Sequence, residues 1–139
     1  AHMRKPISIG DVLASPMITS PLKQLDCALV SDGAGAAIGE RSARDLRQKP
    51  VYLLGQGYGL SHSHVGEAID LTTSGAVDSG HKAFATAGIK HSEIEFAQLY
   101  DCFSIAVIMD LEDLGFCKKG EGGTIAIHCT LILGAHDAI

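Results

Sequence analysis

The stretch Leu99 to Ser104, LYDCFS, sets a phenol, a carboxylate and a thiol in consecutive positions. Partly alternating apolar residues before it predict a strand at 94–100, and the apolar run after it predicts a helix at 105–114. The three side chains then stand at a strand-to-helix corner. Free N–H groups and the positive dipole end of a helix start favour an anion or a thiolate, and ligands of open α/β sheets gather outside strand carboxyl ends. In that setting Cys102 reads as an activated thiol, and Tyr100 as a donor to an oxyanion or a positioned water. A structural reading stands beside it, with Cys102 as a small buried filler, Asp101 as a helix cap and Tyr100 as a core aromatic.

Two other groups could carry chemistry. The glycine-rich turn Gly55-Gln56-Gly57-Tyr58-Gly59 follows an apolar run, but no helix begins at once to offer its N–H groups to a phosphate. Close backbone packing is the better reading. His62 and His64 lie on one face of an extended segment, and with Glu67, and His81 further on, could form a metal site, or could simply be solvated. His128 and Cys129 are neighbours on a predicted strand, so their side chains point to opposite faces and do not pair.

These residues need elements to position them. Residues 4 to 25, with Pro6, Pro16 and Pro21, read as an irregular lead-in. Asp26 to Gly39 suits a buried strand, Glu40 to Lys49 a charged helix ended by Pro50, and Val51 to Leu54 a central strand. Between Thr73 and Ala87 the apolar positions repeat as one helical stripe, with Gly88 placed for a left-handed cap and Ile89 behind it. The helix at 105–114 is apolar nearly all round, which places it between layers, and Gly115 and Phe116 follow as its cap. Thr124 to Leu133 has the composition of a strand. Alternating strand and helix signals predict an α/β domain with a mixed sheet layered with helices.

Composition narrows the partners. The chain has 139 residues, 46% hydrophobic and 19% charged, with a formal net charge of −5. That is enough for one packed domain and one core. No Lys/Arg cluster is dense enough to track phosphates, so nucleic acid is excluded as an expected partner. No apolar run reaches a membrane-spanning length. The four cysteines, Cys27, Cys102, Cys117 and Cys129, are widely spaced without a CxxC pair, which fits a reduced, cytoplasmic setting. Ala1-His2-Met3 reads as a cloning remnant, leaving 4–139 as a single domain.

Ser31-Asp32-Gly33-Ala34, the run Val51 to Leu54 and Ala83-Phe84-Ala85-Thr86-Ala87-Gly88-Ile89 resemble successive landmarks of the thiolase C-terminal region. The more specific stretch, LYDCFSIAVIMDLEDLGFCKKGEGG at Leu99 to Gly123, resembles the sterol-carrier-protein-type thiolases and their bacterial lipid-transfer relatives among the acetyl-CoA acetyltransferases. The resemblance covers roughly residues 10 to 123. It implies a partial thiolase-like fold and acyl transfer between coenzyme A thioesters, by Claisen condensation or by thiolysis of a 3-ketoacyl-CoA. The coenzyme A thioester would be substrate, with no covalently bound cofactor.

In the family a cysteine from the N-terminal half takes the acyl group and a histidine from a later GHP motif activates it. The corner before the long helix, Asn-Glu-Ala-Phe or His-Asp-Cys-Phe, helps form the oxyanion hole through a bound water. Tyr100 falls on the water-holding position, Asp101 on the acidic one and Cys102 on the alanine or cysteine that follows. These three are the candidate catalytic residues.

This chain departs from the family at Tyr100, at Ala28 where related enzymes often carry serine, and at its end. TIAIHCTLILGAHDAI contains no GHP motif, and His128, His136 and Cys129 do not align with the family's late motifs, so residues 124–139 form an atypical tail. The resemblance therefore implies a fragment inactive by itself. A non-catalytic acyl-CoA or lipid-binding module and a metal-binding domain using His62, His64 and Glu67 are the alternatives. A homodimer, formed by exchanging the Thr124 to Leu133 strand, is expected to cover the open sheet.

Overall fold

The computed structural model describes residues 5–36, 39 and 49–128. The expected helix Glu40–Lys49 falls almost entirely outside them, as do Cys129 and His136. The chain opens with a helix rather than an irregular lead-in. α1, Ile9–Ala14, starts at a capping box in which Ser8 Oγ accepts from the Asp11 N–H at 3.2 Å and Asp11 Oδ2 accepts from the Ser8 N–H at 2.7 Å. It ends at Ser15, because Pro16 bars the residue before it from the helical region. The prolines thus bound the helix instead of preventing it. β1, Met17–Thr19, and β2, Leu22–Lys23, follow as an antiparallel hairpin that turns through a cis Ser20–Pro21 bond.

α2, Ala76–Ala87, and α3, Ser104–Asp113, appear where the helical periodicity placed them. Gly88 caps α2 in the left-handed conformation at φ 68° and donates its N–H to the Phe84 carbonyl. Beyond α3, the Gly115 N–H reaches the Glu112 carbonyl and the Phe116 N–H reaches that of Leu111, the two bonds of a Schellman motif, with Gly115 at φ 83°. α2 and α3 approach at Gly80, where an added Cβ would lie 2.7 Å from Leu114 Cδ2. Val107 and Leu111, one turn apart on α3, are the buried apolar side chains among the described residues.

The expected strands are where chain and expectation part. Val51 to Leu54 has no ladder partner among the described residues, and Val51 is 98% exposed. Residues 28–36 and 94–100 likewise form no ladder among the described residues, and an isolated bridge joins Cys27 to Phe103 just beyond them. β-propensity reports a fit to a half-buried pleated surface, and these runs lack the neighbouring strands that would make a ladder of them. Thr124 to His128 is helical, in α4, Gly122–His128, so the exchange of a 124–133 strand has no basis there; 129–133 lie outside the described residues. The buried Gly122 explains the helix: a Cβ on it would lie 2.7 Å from the Ile108 carbonyl oxygen, so α4 packs backbone-close on α3.

The turn Gly55 to Gly59 packs backbone against backbone, as read. Added Cβ atoms on Gly55, Gly57 and Gly59 would lie 2.3, 2.0 and 2.2 Å from the carbonyl oxygens of Ala83, Ser79 and Gly75. Each step of two residues along the extended run matches one step of four down α2. The match is geometric, since two strand residues rise about 6.7 Å and four helical residues about 6 Å. Glycine is required at all three because the obstacle is helix backbone, which cannot rotate away.

Candidate functional site

The corner is open. Tyr100 is 77% exposed and Asp101 and Cys102 are half-buried, so none of the three is sealed in a core. Neither the Tyr100 hydroxyl, the Asp101 carboxylate nor Cys102 Sγ has a hydrogen-bond partner among the described residues. Asp101 does not cap α3: the N-cap is Phe103, which has no side-chain capping bond. The capping role read for Asp101 is thus not found, and Tyr100 and Cys102 are not enclosed among the described residues.

What holds the corner lies far upstream in the chain. The Ala28 N–H donates to the Cys102 carbonyl at 3.0 Å, next to the bridge between Cys27 and Phe103. Ser104 Oγ, in the first turn of α3, donates to Asp26 Oδ1 at 3.0 Å, while Asp26 Oδ2 accepts from the Lys23 N–H at 2.9 Å. The segment Lys23 to Ala28 therefore clasps the corner from one side. Nothing in the sequence signals a pairing over that separation; Asp26 looks like an ordinary loop aspartate.

A second ordered cluster sits at the other end of α3. Asp113, with no side-chain exposure, accepts from the Ser74 N–H at 2.7 Å, Ser74 Oγ at 2.9 Å and Thr73 Oγ1 at 3.1 Å, and is ion-paired with Lys119. Burial works to raise its pKa, but the hydrogen bonds from Lys119 and Ser74 and the charge of Lys119 outweigh it and hold the carboxyl below the usual aspartate value. Glu112 Oε1 accepts from the N–H groups of Gly120 and Gly122 at 3.0 Å each. The two acids tie the loop before α2 and the GEGG loop to α3. These bonds scaffold the end of α3, and Glu112, Asp113 and Lys119 also line one wall of a neighbouring cleft.

Beside it, a cleft of about 650 Å³ lies between the C-terminal parts of α2 and α3, lined among others by His81, Phe84, Ile89, His91 and Leu114. The His91 ring packs on Phe84 with centroids 4.2 Å apart. The corner residues do not line this cleft. The histidine group does not converge either: His62 Nδ1 pairs with Ser61 Oγ at 2.9 Å, Glu67 accepts from the Ser63 N–H, and His81 faces the cleft. Among the described residues no three His, Cys, Asp or Glu side chains gather closely enough to hold a metal ion. No helix among them is long and apolar enough to cross a membrane.

Comparison with known proteins bears on the corner and on the chain around it. Residues 57–135 match the family described as "Thiolase C-terminal domain-like". The chain is 36% identical over 120 residues to an acetyl-CoA acetyltransferase of Methanothermobacter thermautotrophicus, covering 84% of this chain and 31% of that protein. It is 37% identical over 126 residues to the 17-hydroxy-3-oxo-4-pregnene-20-carboxyl-CoA lyase of Mycobacterium tuberculosis, covering 84% and 32%. Among solved structures it resembles the Ltp2-ChsH2(DUF35) aldolase with a TM-score of 0.78 and 29% identity, covering 94% of this chain and 36% of that one. The chain thus spans about a third of the length of these relatives, and its mixture of helices with a small antiparallel sheet is part of their fold.

Proposed function

This chain belongs to the thiolase C-terminal domain-like family, and from that premise we propose that it supplies the oxyanion-facing corner of an acyl-CoA acyltransferase. The observation that carries the reading is the exposure of Tyr100 beside a half-buried Asp101 and Cys102 at the start of α3. A thioester carbonyl gains negative charge as its carbon is attacked, and a donor already aimed at the oxygen lowers the barrier by several kcal/mol. Tyr100 donates that hydrogen bond, directly or through a water, and the clasp from Lys23 to Ala28 keeps the corner from shifting. The nucleophilic cysteine and the GHP histidine belong to parts of the fold that this sequence does not contain.

Acetoacetyl-CoA thiolysis by this chain alone is therefore expected to stay at the buffer rate; measured turnover would overturn the reading of an inactive part. Binding at the corner is tested with bromoacetyl-CoA, whose carbon is attacked by a cysteine thiolate with loss of bromide. Peptide mapping should show Cys102 alkylated in preference to Cys27 and Cys117, with the preference absent for bromoacetamide. Equal selectivity with both reagents would mean that the coenzyme A moiety is not recognised. Saturation of the labelling at low micromolar reagent would instead favour a non-catalytic acyl-CoA-binding module.

A second reading draws on Tyr100 itself, where the family has asparagine or histidine. Two of the relatives above are named as a lyase and an aldolase, and retro-aldol cleavage of a 3-hydroxyacyl-CoA needs no cysteine nucleophile. A base removes the hydroxyl proton, the Cα–Cβ bond breaks, and its electron pair moves into the thioester as an enolate. A phenol at the corner would stabilise that enolate oxygen as it would a tetrahedral oxyanion.

A further inference from the structure

α3 begins without a cap of its own. Phe103 stands at the N-cap with no side-chain bond, and no acid occurs in the first turn of the helix. A carboxylate is nevertheless supplied there, from 78 positions away in the chain. Residues 26, 27 and 28 meet 104, 103 and 102 in antiparallel order. Asp26 Oδ1 accepts from Ser104 Oγ at 3.0 Å, Cys27 bridges Phe103, and the Ala28 N–H donates to the Cys102 carbonyl at 3.0 Å. That register sets the Asp26 carboxylate against the first residue of α3, two positions after Cys102. Asp26 is half-buried, and its other oxygen accepts the Lys23 N–H at 2.9 Å. No cation pairs with it among the described residues, Lys23 Nζ being bound instead to the Leu13 carbonyl.

We propose that Asp26 sets the charge of the corner: its carboxylate engages the positive end of α3 and so opposes a thiolate or oxyanion beside it. A helix start favours an anion within its first turn, but a second anion placed there is repelled by the first. Cys102 is accordingly restrained from reacting as an anion, contrary to what its place before a helix suggests. Negative charge that develops on a thioester at this corner must then be met by Tyr100 and not by α3. Only that last step rests on the oxyanion-facing reading given above; the restraint on Cys102 stands without it.

Bromoacetamide tests the charge without involving coenzyme A, so the result is independent of whether an acyl-CoA binds. Alkylation at neutral pH is followed by peptide mapping, as the rate at Cys102 relative to Cys117, which lies beyond the far end of α3. Asp26→Asn keeps an oxygen for the Ser104 hydroxyl but removes the charge, and should raise that ratio about two- to threefold. Ser104→Ala breaks the same hydrogen bond but keeps the charge, and should not raise it. Adding Ser104→Asp to Asp26→Asn returns a carboxylate to the start of α3 and should restore the original ratio. Asp101, the other acid at the corner, and Lys23 are present throughout, and helical circular dichroism checks each fold. If Asp26→Asn disturbs the fold, Ser104→Asp alone decides, since a second carboxylate should lower the ratio about twofold. A ratio that Asp26→Asn leaves unmoved, that Ser104→Ala raises as much, or that Ser104→Asp alone does not lower would overturn the proposal.

Discussion

Asp113→Ala should lower stability by about 3 kcal/mol, read as a shift of the urea midpoint at neutral pH. Removing one partner of a buried ion pair typically costs about 3–5 kcal/mol because the other group is left without compensation. The lower end applies because the Lys119 side chain is 46% exposed and can turn to water, while the Ser74 N–H and Thr73 hydroxyl lose their acceptor. A chain whose described apolar core is Val107 and Leu111 has little reserve, so a loss of that size should leave much of it unfolded. Asp113→Asn keeps the shape and part of the hydrogen bonding, and should cost visibly less.

The same carboxyl sets an acid dependence. Its folded pKa is depressed, so its contribution is present above the unfolded value and is lost as pH falls through the folded one, below about pH 4. Asp110 runs the other way: burial, then the charge of Asp113, raises its pKa, so protonating it favours the folded chain. Asp110→Asn should therefore stabilise at neutral pH and make the acid loss steeper. An acid limb unchanged by Asp113→Asn would show that this cluster does not govern it.

Gly57→Ala should cost about 2–3 kcal/mol, the upper part of the range for forcing atoms into a filled site. The added methyl carbon would lie 2.0 Å from the Ser79 carbonyl oxygen and 2.9 Å from the Ala83 nitrogen, and both belong to helix backbone. The extended run must lift away from α2, and amide exchange across residues 55–60 should quicken by a factor of ten or more. Gly66→Ala, where nothing lies within 4 Å of the new carbon, is the control and should be near neutral. If both variants melt together, the close approach of strand and helix is not what holds this part of the fold.

The helices of this fold were legible for a physical reason. The apolar stripe of α2 and the all-round apolarity of α3 are patterns internal to the helix, and Gly88 and Gly115 mark their ends through conformations other residues resist. The extended segments behaved differently, because a ladder is a property of two segments. Val51 to Leu54 has strand composition but no described neighbour to bond with. Thr124 to His128 also has strand composition, yet folds as a helix since Gly122 lets its backbone reach α3. α1 was hidden by reading prolines as breakers throughout, although Ser8 and Asp11 spell a capping box between two of them.

The corner itself was visible as three reactive residue types in a row. Its support was not: the bonds from Asp26 and Ala28 join residues whose types carry no trace of the pairing. The Asp113 cluster was missed for the same reason, an acid inside an apolar helix being readable only once its donors are known.

The clasp across the corner also has a temporal consequence. Ser104 and Asp26 are separated by 78 positions, whereas α2, α3 and α4 meet neighbours close by in the chain. Contacts of high contact order form late, since the entropy of closing the intervening loop must be met before they return anything. The helices should therefore consolidate first and the corner at Leu99 to Ser104 last, so that a nascent chain would already be largely folded before Ser104 meets Asp26.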